Sequence, residues 1–504
     1  MLLSDINFLF LRFFYILMGK DIKIIGSGFS ALSAACYLAK SGHSVTVFEK
    51  NNSIGGRARQ LKKQGFTFDM GPSWYWMPDV FDRFFADFDK KTSDYYELIK
   101  LNPAYRVYFG IDDFIAIADN LSAIVAEFEN IENGSGRQLE HFIADAKKNY
   151  DIAIKDLVYR PGVSPLELVT VETAKKVGQF LSNISRDVRK VFKNPRLISI
   201  LEFPVLFLGA KPSDTPSFYS FMNYADFGMG TWHPKTGMHN VVAAMETLAR
   251  SLGVSFVVNA NVDKILVNDK KTSGISVNGT LEKADIVLSG ADYHHTETLL
   301  DEQHRKYSEK YWKSRVFAPS SLLFYVGFNK KIDNISHHAL FFDVDFEQHA
   351  RDIYDEPQWP KDPLFYANFP SKTDLTAAPD GHEAGFFLVP LAPGIEDTQG
   401  LRDEYFEKII TRFETLTQQN VRDHIVFNES FCKNDFVSEY NSYKGNAYGM
   451  ANTLLQTAFL RPKLKSPKVE NLYFTGQLTV PGPGVPPALI SGKLVAELIE
   501  KHLN

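Results

Sequence analysis

Gly26-Ser27-Gly28-Phe29-Ser30-Ala31 lies where a short apolar run, Asp21–Ile25, gives way to a helical stretch, Phe29–Lys40. Glycines at that junction are suited to holding a phosphate. Gly26 permits the tight turn, and Gly28 lets the backbone approach a pyrophosphate. The helix start supplies free N–H groups and the positive end of a dipole. Ala31 stands at the third glycine position, a change that loosens helix–strand contact only slightly. Glu49 follows 21 residues after Gly28, where a carboxylate accepts bonds from a ribose hydroxyl. Gly55-Gly56-Arg57 comes next, with two glycines for close approach and an arginine for a second phosphate. Near the other end, Gly476-Gln477 begins a Gly/Pro-rich loop that runs through Gly484 and Val485. Its prolines remove most backbone donors, which suits a loop lying flat against a planar ring.

The elements that must position these residues are a βαβ unit and a distant strand–loop–helix. Ser44–Phe48 is the second strand, after Gly42 ends the helix. A strand at Leu472–Phe474 and a helix over 488–501 close the chain, so its two ends are expected to meet. Between them, 137–200 has mainly helical patterning and 201–209 is strongly apolar. A helix from Gly237 through Leu252 leads to a small strand-rich array over 255–258, 262–267, 275–277 and 284–288. From about 318 to 440 strands and helices alternate without a linker. No internal repeat or low-complexity tract is present.

Composition narrows the function further. The chain has 504 residues, is 44% apolar and 23% charged, and carries a net charge of −5. It has the make-up of a globular protein without a basic surface for nucleic acid. Two cysteines, Cys36 and Cys432, cannot build a disulfide framework or a four-thiolate zinc site, so a reduced cytoplasmic setting is expected. The pairs His294-His295 and His337-His338 are sequence neighbours that rarely face one metal, and Asp343-Val344-Asp345 lacks the rest of a calcium loop. No metal is expected. No Gly-x-Ser-x-Gly elbow supports acyl transfer. Phenylalanine occurs 41 times, which fits a large aromatic core or an apolar cavity for an oily ligand. Residues 7–18 form an apolar run broken by Arg12, too short to span a bilayer. The expectation is that translation starts at Met18, with a membrane-surface anchor as the alternative.

The segments VFEKN, GGRARQL and GFTFDMGPS, with YFTGQLTVPGPGVPPALISGK, resemble the bacterial phytoene desaturase family, within the flavoprotein amine oxidases and related desaturases. The stretches 203–216 and 445–462 also look like family segments, so the resemblance runs from Asp21 to the C-terminus. It departs at Ala31, often glycine, and at Gln477, often alanine. The resemblance implies an α/β fold: a Rossmann-like FAD-binding domain with an interleaved substrate-binding domain. The FAD part takes 21–95, 230–300 and 465–504, and the substrate part 96–229 and 301–464, after an extension over 1–20. It implies FAD with Gly26, Gly28 and Ala31 at the pyrophosphate and Glu49 at the ribose. Gly55, Gly56 and Arg57 continue along the phosphates, Gly71 and Pro72 lie near the ring, and Val262 meets the adenine. Gly476, Gln477, Gly484 and Val485 close over the flavin.

The activity implied is desaturation of phytoene in carotenoid biosynthesis. Alternatives are another carotenoid desaturase such as a hydroxycarotenoid 3,4-desaturase, an isomerase or saturase, or a non-enzymatic prenyl-lipid binder. Trp74, Trp76, Phe203, Leu206, Phe207 and Leu208 are candidates to line a tunnel for the polyene, with core packing as the competing reading for each. Hydride loss from an allylic carbon leaves a delocalised cation that a weak base deprotonates, so no catalytic side chain is assigned. Oxygen or a quinone reoxidises the flavin, and the oily substrate favours a protein resting peripherally on the membrane.

Overall fold

The computed structural model describes residues 19–504, apart from the side chain of Phe207, so the expectations for 7–18 and for the Phe207 side chain lie outside the described residues. Asp21–Ile25 buries Ile22, Ile24 and Ile25, and lies at the centre of a five-stranded parallel sheet. The order is Leu472–Phe474, Ile286–Ser289, Asp21–Ile25, Ser44–Phe48 and Ser255–Val257. The array expected over 255–288 is therefore divided. Its outer members, Ser255–Val257 and Ile286–Ser289, join the parallel sheet. Val262–Asn268, Lys271–Val277 and Thr280–Lys283 form a separate antiparallel sheet. The mixed buried and exposed positions of the first two of these strands suit a sheet with one solvated face, whereas Ile286–Ser289 is buried throughout.

The chain's extremities meet. Helix Phe29–Lys40 packs against the closing helix Val485–Leu503, and Ser33 Oγ donates to the Leu489 carbonyl at 2.7 Å. That closing helix starts three residues earlier than expected, because Pro486 and Pro487 fall in its first turn, where a missing N–H costs nothing.

A seven-stranded sheet forms the second layer, in the order Ile425–Phe431, Ser320–Phe328, Glu383–Leu391, Phe365–Asn368, His338–Phe341, Tyr105–Gly110 and Asp113–Ile117. Its second strand, Ser320–Phe328, is buried on both faces. Leu322, Phe324, Val326 and Phe328 enter a core covered by helix Gln399–Thr417. The alternate residues Ser321 and Leu323 face a large cavity. Opposite this sheet lie helix Ser135–Lys155 and short helical turns over 184–228, including the 3₁₀ turn Phe203–Leu208. A short ladder, Leu98–Lys100 with Trp232–Pro234, ties the helical part back to the nucleotide-sheet side.

Candidate active site

Ser27 is the knot of the glycine loops. Its N–H and hydroxyl both donate to Glu49 Oε2, at 3.1 and 2.7 Å. Gly55 N–H donates to Ser27 O at 3.1 Å. The second loop is thereby held against the first, and a Cβ on Gly56 would come within 3.2 Å of Gly28 Cα. Glu49 is 5% exposed and also accepts from Asn51 N–H at 2.9 Å. Gly28 begins helix Phe29–Lys40 with no side-chain cap, and a Cβ built there would meet nothing within 4 Å. Uncapped N–H groups facing open space are what a diphosphate requires.

Arg57 carries the loops toward the ring site. One Nη donates to Ser442 Oγ at 3.1 Å, while its buried Nε has no partner. Burial pushes the Arg57 guanidinium below the usual arginine range, with Asp292 opposing that shift. Gly71 packs on the Arg57 backbone, where a Cβ would lie 2.5 Å from the Arg57 carbonyl oxygen. From the other end of the chain, Gly476 N–H donates to Ser491 Oγ at 3.0 Å, and Gln477 O accepts from Arg461 at 3.0 Å. Arg461 is fully interior and also donates to Met450 O at 2.8 Å and to the Asn452 side chain. With no carboxylate beside it, burial lowers it to about 10.

All these loops open into one cavity of about 770 Å³. Gly26, Gly28, Glu49, Gly55, Gly56, Arg57, Gly71, Pro72, Val262, Gly476, Gln477, Gly484 and Val485 line it, together with Trp74, Trp76, Phe203, Leu206 and Leu208. Ala31 does not. It is completely buried against Gly290, where a Cβ would lie 2.7 Å from Ala31 Cβ. The closeness usually allowed by a third glycine is supplied here from the facing strand end, where Ala31 packs the helix against Gly290.

The remote half of the cavity is apolar. Trp74 stacks on His338, with ring centroids 4.1 Å apart and planes 9° apart, and meets Phe203 at 5.8 Å. Trp76 Nε1–H donates to Thr231 Oγ1 at 2.8 Å. Behind this wall, Tyr105 donates to buried Asp226 at 2.6 Å, and burial pushes that carboxyl up to about 7. Helix Phe346–Tyr354 adds Phe346, His349, Ala350, Ile353 and Tyr354 along one face. Sequence reasoning missed this helix, although its i, i+3, i+4, i+7 spacing was the available signal. It missed Arg461 as well, for which the quoted run 445–462 gave only position. The histidine pairs do not converge on a metal: His294 meets Glu309 at 2.7 Å, His295 meets Asn441 at 3.1 Å, and His338 meets the Tyr366 hydroxyl at 2.7 Å. Among the described residues no group of three or more His, Cys, Asp or Glu could hold a metal, and no helix is long and apolar enough to cross a membrane.

The glycine loops with uncapped N–H groups, the buried Glu49 beside them and the loops from the chain's C-terminal end thus face one cavity. Residues 29–500 match the model of the flavin containing amine oxidoreductases. A carotenoid 3,4-desaturase from Haloarcula japonica is 41% identical over 96% of this chain and 98% of its own length. A 4,4'-diapophytoene desaturase (4,4'-diaponeurosporene-forming) from Staphylococcus aureus is 32% identical over 96% of this chain and 99% of its own. An oxidoreductase from Methanosarcina mazei shares the fold, with a TM-score of 0.62 at 18% identity, covering 95% of this chain and 99% of that one. The chain belongs to the flavin containing amine oxidoreductases, in the phytoene-desaturase-type branch, as an FAD-dependent oxidoreductase acting on CH–CH groups.

Proposed function

We propose that this protein desaturates a carotenoid at its 3,4 bond, close to one end of the polyene. The observation that carries the reading is the continuity of one cavity, from the cradle at Gly28 and Gly56 to the apolar chamber walled by Trp74, Trp76 and Phe203. Likeness supports the choice of bond: identity is 41% to the carotenoid 3,4-desaturase and 32% to the diapophytoene desaturase. Phytoene, the first expectation from the sequence, is the competing substrate.

In this reading Gly26, Gly28, Gly55, Gly56 and Arg57 hold the diphosphate, Glu49 the ribose, and Val262 the adenine side. Gly71, Pro72, Gly476, Gln477, Gly484 and Val485 enclose the ring. FAD, when bound, supplies the hydride acceptor. Trp74, Trp76, Phe203, Leu206 and Leu208 hold the polyene by apolar contact, at about 25 cal/mol per Å² withdrawn from water. They also hold the allylic carbon that loses hydride in a fixed position in the chamber. The cation so formed is spread over the adjoining double bonds, and its neighbouring proton passes to water, which completes the loss of two hydrogens without a side-chain base. Oxygen or a quinone takes up the electrons.

Leu454 and Leu460 line the cavity and are 47% and 41% exposed, so the apolar end reaches the surface there. The adjoining segments also expose Val163, Leu166, Val169 and Leu455. Such a rim supports peripheral seating on a lipid surface, from which an oily substrate enters.

The test is anaerobic incubation of flavin-loaded protein with phytoene or with a carotenoid saturated only at the 3,4 bond, followed by pigment chromatography. Flavin bleaching with conversion of the second compound is expected. Conversion of phytoene alone would assign the protein to the earlier step, and conversion of neither would end the desaturase reading.

A further inference from the structure

We infer that Arg461 supplies the positive charge that balances the flavin once it has taken up a hydride, acting from behind the ring-side loop that it holds in place. The inference rests on the assignment of the loop over 476–485 to the ring, and it holds whichever carotenoid is the substrate.

Arg461 is 2% exposed and stands one layer behind the cavity wall. Its guanidinium reaches that wall through three neutral acceptors: the Gln477 carbonyl at 3.0 Å, the Met450 carbonyl at 2.8 Å and the Asn452 side-chain oxygen. Gln477 and Asn452 line the cavity, as do Val480, Pro481 and Pro483. Gly482, between those prolines, packs on the guanidinium, and a Cβ there would lie 3.2 Å from Arg461 Nη2 and 3.3 Å from Cζ. The charge therefore sits against the backbone of the loop, while its Nε is buried without a partner.

Among the described residues no carboxylate answers this charge. The groups that favour it are the phenols of Tyr219 and Tyr311, which burial pushes up, so both are uncharged at neutral pH. Arg59 and Arg402, also well covered, each have an acidic partner: Glu439 at 2.9 Å and Asp397 at 2.7 Å. Burial lowers the Arg461 guanidinium only to about 10, which leaves it charged at neutral pH. An interior cation met by dipoles alone is costly, because its hydration is lost and no opposite charge repays it.

The site becomes favourable when a negative charge arrives beside it. A hydride brings two electrons and one proton, so the flavin gains one negative charge, while the second hydrogen leaves the substrate as a proton to water. In a protein interior, opposite charges attract far more strongly than in water. The guanidinium is already fixed by its three bonds, so it need not reorganise as that charge appears.

The experiment measures the two-electron midpoint potential of bound FAD, and the Kd of oxidised and of reduced FAD, with no substrate present. Arg461→Met removes the charge at similar length. It is expected to weaken binding of reduced FAD about 10- to 100-fold more than binding of oxidised FAD, a fall in potential of about 30–60 mV. Arg461→Lys keeps the charge and is expected to stay near the parent. A purely structural arginine would weaken both redox forms alike and leave the potential unmoved. Asn452→Asp covers the case in which Arg461→Met does not fold. It leaves the arginine in place, sets a carboxylate against Nη2, and is expected to lower the potential to a similar extent. An unmoved potential in Arg461→Met, or in Asn452→Asp where the first variant is unfolded, overturns the inference. So does a fall in Arg461→Lys as large as in Arg461→Met, or a parent potential no higher than that of free FAD. None of these measurements needs a carotenoid, so the desaturase reading can fail without deciding the role of Arg461.

Discussion

Asp226 shows how a single polar residue behind an apolar wall controls stability. Its carboxyl is 2% exposed and shares a proton-bearing network with Tyr105, Thr231 and, through Thr231, Trp76. Burial raises it to about 7, against about 3.9 in an unfolded chain. Between about pH 4 and 7 the folded protein thus retains a proton that the unfolded chain releases, so stability declines as pH rises through that window and levels off above it. Three pKa units correspond to about 4 kcal/mol at most. Asp226→Asn cannot titrate, and its stability relative to the parent is expected to rise by up to about 4 kcal/mol from pH 4 to pH 8. Denaturation midpoints of the flavin-loaded proteins measure this, and parallel pH curves would refute it. The place of Glu49 beside the glycine loop was legible because it depends on a local βαβ spacing. Asp226 was not, since its key partner Tyr105 lies 121 residues away in sequence.

Among the elements, the parallel strands and the helices beside them were legible from apolar runs and glycine punctuation. Which sheet each strand would join was not, because Ser255–Val257 pairs with the distant strand Ser44–Phe48 and Val262–Asn268 with its sequence neighbour Lys271–Val277. That the chain's ends meet was legible, but the close contact in the seam between helices Phe29–Lys40 and Val485–Leu503 was not. It depends on Gly492, where a Cβ would lie 2.4 Å from Ser30 O and 2.7 Å from Ala34 N. Those are backbone atoms of the helix that starts the diphosphate cradle, so they cannot move aside cheaply. Gly492→Ala is expected to lower stability by about 1–3 kcal/mol and weaken flavin retention, against the gain of about 1 kcal/mol that alanine brings to a helix. Gly400→Ala, in a helix where an added Cβ meets nothing within 4 Å, is the control and is expected to be neutral or mildly stabilising. Equal thermal midpoints and flavin content for the two variants would dismiss the seam as a constraint.

On the scale of the whole molecule, the parallel sheet holds the polar end of the cavity and the seven-stranded sheet floors its apolar end. In the proposed reading, a ligand as long as a carotenoid enters at the end remote from Glu49. That end carries Leu166 and Leu455 at 76% and 75% exposure, beside cavity-lining Leu168, Leu454 and Leu460. In water these side chains contribute nothing to folding, whereas against lipid each withdraws enough surface to contribute about 1–2 kcal/mol. Replacing both Leu166 and Leu455 by Glu is expected to weaken binding to phosphatidylcholine vesicles by about 10- to 100-fold in a flotation assay. Flavin content and conversion of detergent-dispersed substrate should persist, because neither side chain belongs to the cradle or the ring loops. Vesicle binding that survives both charges would move the entry surface elsewhere on the protein, and loss of detergent-phase activity would show the rim to be part of the chamber itself.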